Sequence, residues 1–369
     1  MIGKVLNEIL SLADIKVNGD RPWDIQVHNN RVFSRVLAEG PLGLGESYMD
    51  GWWDCKRLDE FLCHLFRARV DQRIKKNLRT IIEHFISKTF NLASKRRSVT
   101  YGARHYNLGN DLYRAMLDKR MIYTCGYWKD AKNLDEAQEA KLELVCKKID
   151  LKPGMTVLDL GCGWGGFAKY AAEKHGAKVL GVTVSKEQVE LGRELCKGLP
   201  VELRVQDYRE VKGHYDRVIS IGILEHVGHK NYRTYFEVVN RTLKDNGIAF
   251  VHTIGGNISV STLNSWTKKY IFQVGMIPSI KQLAQAMEGL FVWEDLHNFG
   301  PDYDKTLMAW DANFENAWPE LKEKYGERFY RMWKFYLLSC AADFRTRGLQ
   351  LWQIVMTKPG MQQPSCRIH

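Results

Sequence analysis

Four polar side chains fall where an α/β sheet does its chemistry, at or beyond the carboxyl ends of predicted strands. Glu225 lies in Gly222-Ile223-Leu224-Glu225-His226-Val227-Gly228, His252 in Phe250-Val251-His252-Thr253-Ile254-Gly255, and Tyr303 in Gly300-Pro301-Asp302-Tyr303-Asp304. Cys125 lies in a segment ahead of the sheet, in Tyr123-Thr124-Cys125. A His, a Tyr hydroxyl, a Cys and a Glu around one mouth could confine a small base that removes a proton. Taken one at a time, each also has a structural reading. The His can be a satisfied core residue, the Glu a helix cap, and the Cys a small hydrophobe. Their convergence in space is not visible in sequence.

The cofactor signal is stronger. Val157-Leu158-Asp159-Leu160-Gly161-Cys162-Gly163-Trp164-Gly165-Gly166 reads as a buried strand ending in a glycine loop that feeds a helix near Phe167. A sharp strand-to-helix turn requires φ > 0, and a bound cofactor requires bare backbone close by. Gly161, Gly163 and Gly166 satisfy the dinucleotide spacing, which points first to a nicotinamide. That fingerprint expects an acid roughly 20 residues further on, after the next strand. The next strand, Lys178–Val184, ends Thr-Val-Ser without one. Asp159 before the first glycine instead favours S-adenosylmethionine (SAM), whose ammonium it could neutralise, with Thr183, Ser185 and Gln188 able to bond ribose hydroxyls.

Alternating strands and helices position these residues. Strands are expected near 156–160, 179–184, 201–205, 216–221, 248–254, 291–297 and 349–357, an α/β seven-stranded sheet with helices on both faces. A helix from about Leu134 to Ile149 precedes the Lys152-Pro153-Gly154 turn, and a long aromatic insert joins the last two strands. Residues 1–90 read as a smaller, mainly helical amino-terminal domain with a turn-rich stretch at Gly40–Ser47. Residues 91–369 read as the catalytic domain, of which 91–130 form a connector. Trp52 and Trp53 read as packing for the small domain, and Cys162 as a steric filler.

Composition narrows the class. The 369 residues are 45% hydrophobic and 26% charged, ordinary for a globular protein. No run of eighteen apolar residues offers a membrane span, and the acid-bearing amphipathic start argues against a signal peptide. Eight scattered cysteines without a CxxC pair read as reduced thiols of a cytoplasmic protein, with no zinc site. The net charge of +11 is concentrated between Phe66 and Arg97, where ten basic residues face Asp71 and Glu83. Ile74, Leu78, Ile81, Ile82 and Phe85 recur there at helical spacing, giving an apolar and a cationic face. Such a helix suits an anionic lipid surface; a solvated outer face is the plainer alternative. Nucleic acid is a third, without a recognition motif to support it.

Several blocks together resemble the bacterial cyclopropane-fatty-acyl-phospholipid synthases, relatives of the mycolic acid cyclopropane synthases. They are Gly43–Trp53, His105–Leu112, Tyr123-Thr124-Cys125, Leu158–Gly166, Glu225-His226-Val227-Gly228 and Tyr303–Trp310. The resemblance implies a SAM-dependent methyltransferase (Rossmann-like) fold and methylene transfer from SAM to the cis double bond of phospholipid acyl chains. It further implies a bound bicarbonate as the base, held by Cys125, Glu225, His252, Tyr303 and the backbone N–H near Ile254. SAM contacts would come from Tyr123, Thr124, Asp159, Gly161, Cys162, Gly163, Trp164, Gly165 and Gly166, with Thr183, Ser185 and Gln188, and with Gln206, Asp207, Tyr208 and Arg209. The expected partner is a bilayer of unsaturated phospholipid at the inner face of the cytoplasmic membrane, engaged by a homodimer. The alternatives are a sister enzyme that reduces the same cation to a methyl branch, a SAM-binding lipid carrier without turnover, and a nicotinamide oxidoreductase.

Overall fold

Short runs of aliphatic and β-branched residues, broken by glycine, proline and charge, build the sheet. The computed structural model describes residues 10–69 and 109–368. The basic segment 70–97 and the His105–Leu108 part of its motif block therefore lie outside the described residues. The strands are β1 (Thr156–Leu160), β2 (Lys178–Thr183), β3 (Val201–Val205), β4 (Tyr215–Ile221), β5 (Leu243–Gly256), β6 (Val292–Asn298) and β7 (Leu349–Thr357). They lie in the order β3-β2-β1-β4-β5-β7-β6. The pairings β3–β2, β2–β1, β1–β4 and β4–β5 are parallel, while β6 runs antiparallel to β7. The fifth strand begins earlier than its apolar run, at Leu243, where Tyr215 pairs across an irregularity in register.

Parallel strands covered on both faces read as nearly continuous apolar runs, and successive side chains serve opposite layers. Leu158 and Leu160 face one core with Val182, Phe236 and Val251, whereas Val157 faces another with Val145, Phe167 and Phe250. The strand order reverses at β1, whose two neighbours are β2 and β4. The loops leaving β1 and β4 therefore diverge and leave a crevice beyond their carboxyl ends.

The helix Leu134–Lys148 lies in the second of these layers, through Leu142, Val145 and Cys146. Asn133 caps it by accepting from the Glu136 N–H at 3.0 Å. Its last residue, Lys148, is fully buried and pairs at 2.9 Å with Asp295 on β6.

The chain divides into two compact units. One holds the sheet in 91–261, 274–302 and 350–369; the other gathers 1–90, 262–273 and 303–349. The helical unit is therefore not a contiguous amino-terminal domain, since two later segments join it. The apolar faces of those segments explain this: Trp266 and Trp333 are both buried within the helical unit.

The Gly40–Ser47 stretch, expected as turns, is instead the helix Pro41–Met49. Pro41 presets the first helical φ, and the internal glycines fit because neighbours leave no room for Cβ. A methyl group on Gly45 would overlap the Trp266 ring, and one on Gly43 the Arg35 carbonyl. Glu46 of the same helix is buried and accepts from Arg35, from Lys269 at 2.5 Å and from the Tyr270 hydroxyl at 2.7 Å. Gly45→Ala is accordingly expected to cost about 1–3 kcal/mol through overpacking, read as a lower urea midpoint for the helical unit. An unchanged midpoint would show that Trp266 can move aside. Trp53 is buried, while Trp52 lies under the Arg31 and Arg35 guanidinium groups at 5.2 and 5.0 Å.

Candidate active site

The crevice beyond β1 and β4 is a cavity whose floor is the glycine loop. Gly161, Gly163 and Gly165 take φ of +80°, +56° and +82°, which only glycine adopts without strain. Gly166 has ordinary backbone, but a Cβ there would sit 2.9 Å from both the Arg120 carbonyl oxygen and the Ile122 side chain. The helix Gly166–His175 starts at this point and directs its first N–H groups out of the loop.

Most of the residues expected to contact SAM share this cavity. Tyr123, Thr124 and Asp159 line it, with Gly161, Cys162, Gly163, Trp164 and Gly166 of the loop. Thr183, Gln188, Gln206, Asp207, Tyr208 and Arg209 line it further round. Two expected residues do not. The Ser185 side chain is turned inward as the cap of the helix Lys186–Leu195, accepting from the Gln188 N–H at 3.3 Å. Gly165 packs against Leu203 and Cys196.

Second-strand chemistry replaces the missing acid with neutral groups: the Thr183 hydroxyl donates to Gln188 Oε1 at 2.9 Å. Arg209 is held on Asp207 by bonds of 2.8 and 2.6 Å, which fixes the loop after β3. Trp164 donates its indole N–H to Asn110 at 3.2 Å and packs with Tyr113, which in turn meets Tyr123 at 5.3 Å. The segment ahead of the sheet is thereby joined to the glycine loop.

Asp159 is almost wholly buried, and burial pushes its carboxyl up to about 7, against the opposing pull of Lys141. Lys141 escaped sequence reasoning. It is fully buried on the helix Leu134–Lys148, lines the cavity and donates to Thr124 Oγ1 at 2.9 Å. Burial pulls its ammonium down to about 8, opposed by the charges of Asp118, Cys125 and Asp159. Gln138, one turn before it, donates to the Thr124 carbonyl at 2.7 Å. The signal was present: Gln138 and Lys141 interrupt the stripe Leu134, Val145 at core positions, where polar residues have a purpose.

Three of the expected base residues, Cys125, His252 and Glu225, adjoin residues that line the cavity. Cys125 follows Thr124 and is fully buried. His252, on β5, is paired in register with Ile221, and its carbonyl accepts from the Gly222 N–H at 2.9 Å. Both Ile221 and Gly222 line the cavity. The imidazole meets Phe299 at 6.0 Å, and its Nδ1 lies 3.5 Å from the Gln353 amide. Burial drives its pKa well below the usual value, so the ring is neutral, and Nε2 is buried without a partner among the described residues.

Glu225 sits in the short helix Leu224–Val227, beside the cavity residue His226. The residue keeps some exposure, but its carboxylate is shut in. Oε1 accepts from the Ile254 N–H at 2.6 Å, and Oε2 is buried with no partner among the described residues. Burial pushes this carboxyl up to about 6, opposed by the Ile254 bond. The Ile254 N–H thus holds Glu225. Tyr232, also missed in sequence, buries a hydroxyl that has no partner among the described residues in the core that contains Leu224 and Val227. Tyr303 belongs to the helical unit, where it stacks on Phe344 at 4.6 Å. No group of three or more His, Cys, Asp or Glu able to hold a metal exists among the described residues.

Comparison with known proteins gives the family. Residues 93–354 match the family model for mycolic acid cyclopropane synthetase. The chain is 51% identical over 355 residues to the cyclopropane-fatty-acyl-phospholipid synthase of Escherichia coli K12, covering 96% of this chain and 93% of that one. It is 31% identical to the tuberculostearic acid methyltransferase UfaA1 of Mycobacterium tuberculosis, over 88% of this chain and 81% of that one. Among solved structures it resembles the mycolic acid cyclopropane synthase CmaA1 complexed with S-adenosylhomocysteine (SAH) and CTAB. That likeness has a TM-score of 0.66 and 30% identity, covering 70% of this chain and 98% of that one.

Proposed function

The chain belongs to the mycolic acid cyclopropane synthetase family, and from that premise we propose how this SAM-dependent methyltransferase acts. It transfers a methylene group from SAM to the cis double bond of an unsaturated phospholipid acyl chain, closing a cyclopropane ring. One observation carries the reading: two buried polar atoms without a partner among the described residues, His252 Nε2 and Glu225 Oε2, belong to residues that adjoin the lining of the glycine-loop crevice.

The residues match the demands of the reaction. An alkene is a weak nucleophile, so the glycine loop, Tyr123 and Thr124 must hold the sulfonium methyl close and in line. Methyl transfer leaves a cation on the acyl chain, which aromatic faces attract. Water would capture that cation, so the surrounding wall has to be apolar, as Phe167, Val182, Ile221 and Ile223 make it. Ring closure then requires loss of a proton. The orphaned acceptor of Glu225 and the orphaned ring nitrogen of His252 fit a small anion that both donates and accepts, as bicarbonate does. When bound, bicarbonate supplies a base small enough to reach the new methyl group. In this proposal Glu225 accepts its hydroxyl, neutral His252 orients it, Cys125 adds to the enclosure, and Ile254 fixes Glu225; for Tyr303 the family resemblance alone supports a role.

The protein acts at the inner face of the cytoplasmic membrane as a peripheral homodimer, a state that sedimentation checks. Among the described residues no helix is long and apolar enough to cross a membrane. The charge of the 66–97 segment supports docking, at about 1 kcal/mol per basic residue near the headgroups. Neutralising Arg73, Lys76 and Arg79 together is expected to weaken binding to phosphatidylglycerol vesicles at least about tenfold at low salt. The difference should fade above about 0.5 M salt. Equal binding at low salt would place the segment away from lipid.

The function itself is tested by mass spectrometry of acyl chains after incubation with SAM and monounsaturated phospholipid vesicles. Gain of one CH₂ with loss of the double bond is the expected product. A methyl-branched saturated chain would mean reduction of the cation, and unchanged lipid with SAM bound would mean a carrier.

A further inference from the structure

Lys141 presents an anomaly that the methyl-transfer reading leaves unused. A fully buried ammonium is expected to be paired with a carboxylate. Among the described residues Lys141 has no ion-pair partner, and its one hydrogen bond goes to the neutral Thr124 hydroxyl at 2.9 Å. Both residues line the crevice that holds Asp159 and the glycine loop. Two of its three N–H donors are thus left for something that enters the crevice.

SAM, if it is the donor as proposed above, brings three charged groups: a sulfonium, an ammonium and a carboxylate. The two cations would be repelled by Lys141, and only the carboxylate would be attracted. Asp159 suits the ammonium. The α-amino acid end of SAM is a zwitterion, and the crevice wall offers one buried anion and one buried cation to meet it.

We propose that Lys141 is a cofactor-binding residue whose ammonium, steadied by Thr124 and Gln138, pairs with the methionyl carboxylate of SAM and SAH. The pairing would also join the helix Leu134–Lys148 to cofactor binding and hold Thr124, the neighbour of Cys125, in place. The groups facing Lys141 are Asp118, Cys125 and Asp159, which favour the ammonium but do not overcome the burial that depresses it. Because an ionised ligand stabilises the charged form, SAH affinity should be highest between about 7 and about 8, where Asp159 is ionised and Lys141 protonated, and should fall as pH rises through about 8.

The test is calorimetric titration of wild type and K141M with SAH and with the methyl ester of SAH, which lacks the negative charge. Wild type is expected to prefer SAH by about 10- to 100-fold, the range for a charge-assisted bond. K141M should lose that preference while binding the ester as wild type does. Equal weakening of both ligands would reduce Lys141 to a packing residue and overturn the proposal. So would a wild-type protein that binds acid and ester alike, a result that does not depend on whether the variant folds. Should K141M fail to fold, K141Q, which can still reach Thr124, is read in the same way. Wild type that binds no SAH at all would remove the methyl-donor reading rather than the role of Lys141.

Discussion

Replacing His252 by Ala, or Glu225 by Gln, is expected to lower ring formation by about 10²–10⁴-fold, the contribution of a positioned proton-transfer group. SAH affinity should change by less than about threefold in both variants, because neither residue lines the cofactor cavity. Glu225→Gln retains an acceptor for the Ile254 N–H, so the local fold is preserved while the charge is lost. The same site predicts the acid limb of the pH profile. Glu225 must be ionised to accept the bicarbonate hydroxyl, and burial has raised its pKa to about 6. With free bicarbonate held constant and SAM saturating, so that Asp159 does not enter, kcat/KM for the lipid should therefore fall as pH drops through about 6, with unit slope. His252 does not contribute to that limb, since burial keeps it neutral well below its usual pKa. Near-normal turnover in both variants would remove the proposed base site. An acid limb that persists unchanged in Glu225→Gln would belong to another group.

Asp295→Ala should be strongly destabilising to the sheet. Lys148 has no exposed side-chain surface, and its ammonium meets Asp295 at 2.9 Å where the helix Leu134–Lys148 crosses to β6. Removing one member of a buried pair strands the other, at about 3–5 kcal/mol. Burial already lowers the Lys148 pKa, and Asp295 is what holds it up. Urea unfolding should show the loss as a lower midpoint. The double variant Lys148→Met/Asp295→Leu should recover most of it, because two apolar side chains owe no desolvation. Were the double variant as unstable as the single one, the defect would lie in packing and not in the orphaned charge.

Several stretches of the chain show what could be read from sequence alone. The spans expected at 156–160, 201–205 and 349–357 coincide with β1, β3 and β7. An inner parallel strand such as β1, covered on both faces, reads as a nearly continuous apolar run, and that requirement is local. The glycine loop is legible for the same reason: positive φ at Gly161, Gly163 and Gly165 restricts the residue type wherever the rest of the chain goes. The absence of an acid after β2 also weighs against a nicotinamide, and Asp159 before the first glycine favours SAM.

Tertiary structure alone decided the rest. Pro41–Met49 is glycine-rich and reads as turns, but it is a helix, and its glycines serve close packing, since Trp266 and the Arg35 carbonyl occupy the space that Cβ atoms would need. The segment 303–349 reads as an insert of the catalytic domain, yet it packs with the helical unit, because burial of its aromatic face is settled by contact and not by sequence order. Lys141 reads as an ordinary helical lysine. It becomes a candidate ligand only because β1 lies beside β4 and the helix before β1 covers the crevice so formed. Ile254 and Glu225 are 29 residues apart and meet because β5 pairs in parallel with β4. Periodicity and turn chemistry act over a few neighbouring residues and are written along the chain. Partnerships among buried polar atoms depend on strand order and register, which the whole chain sets together.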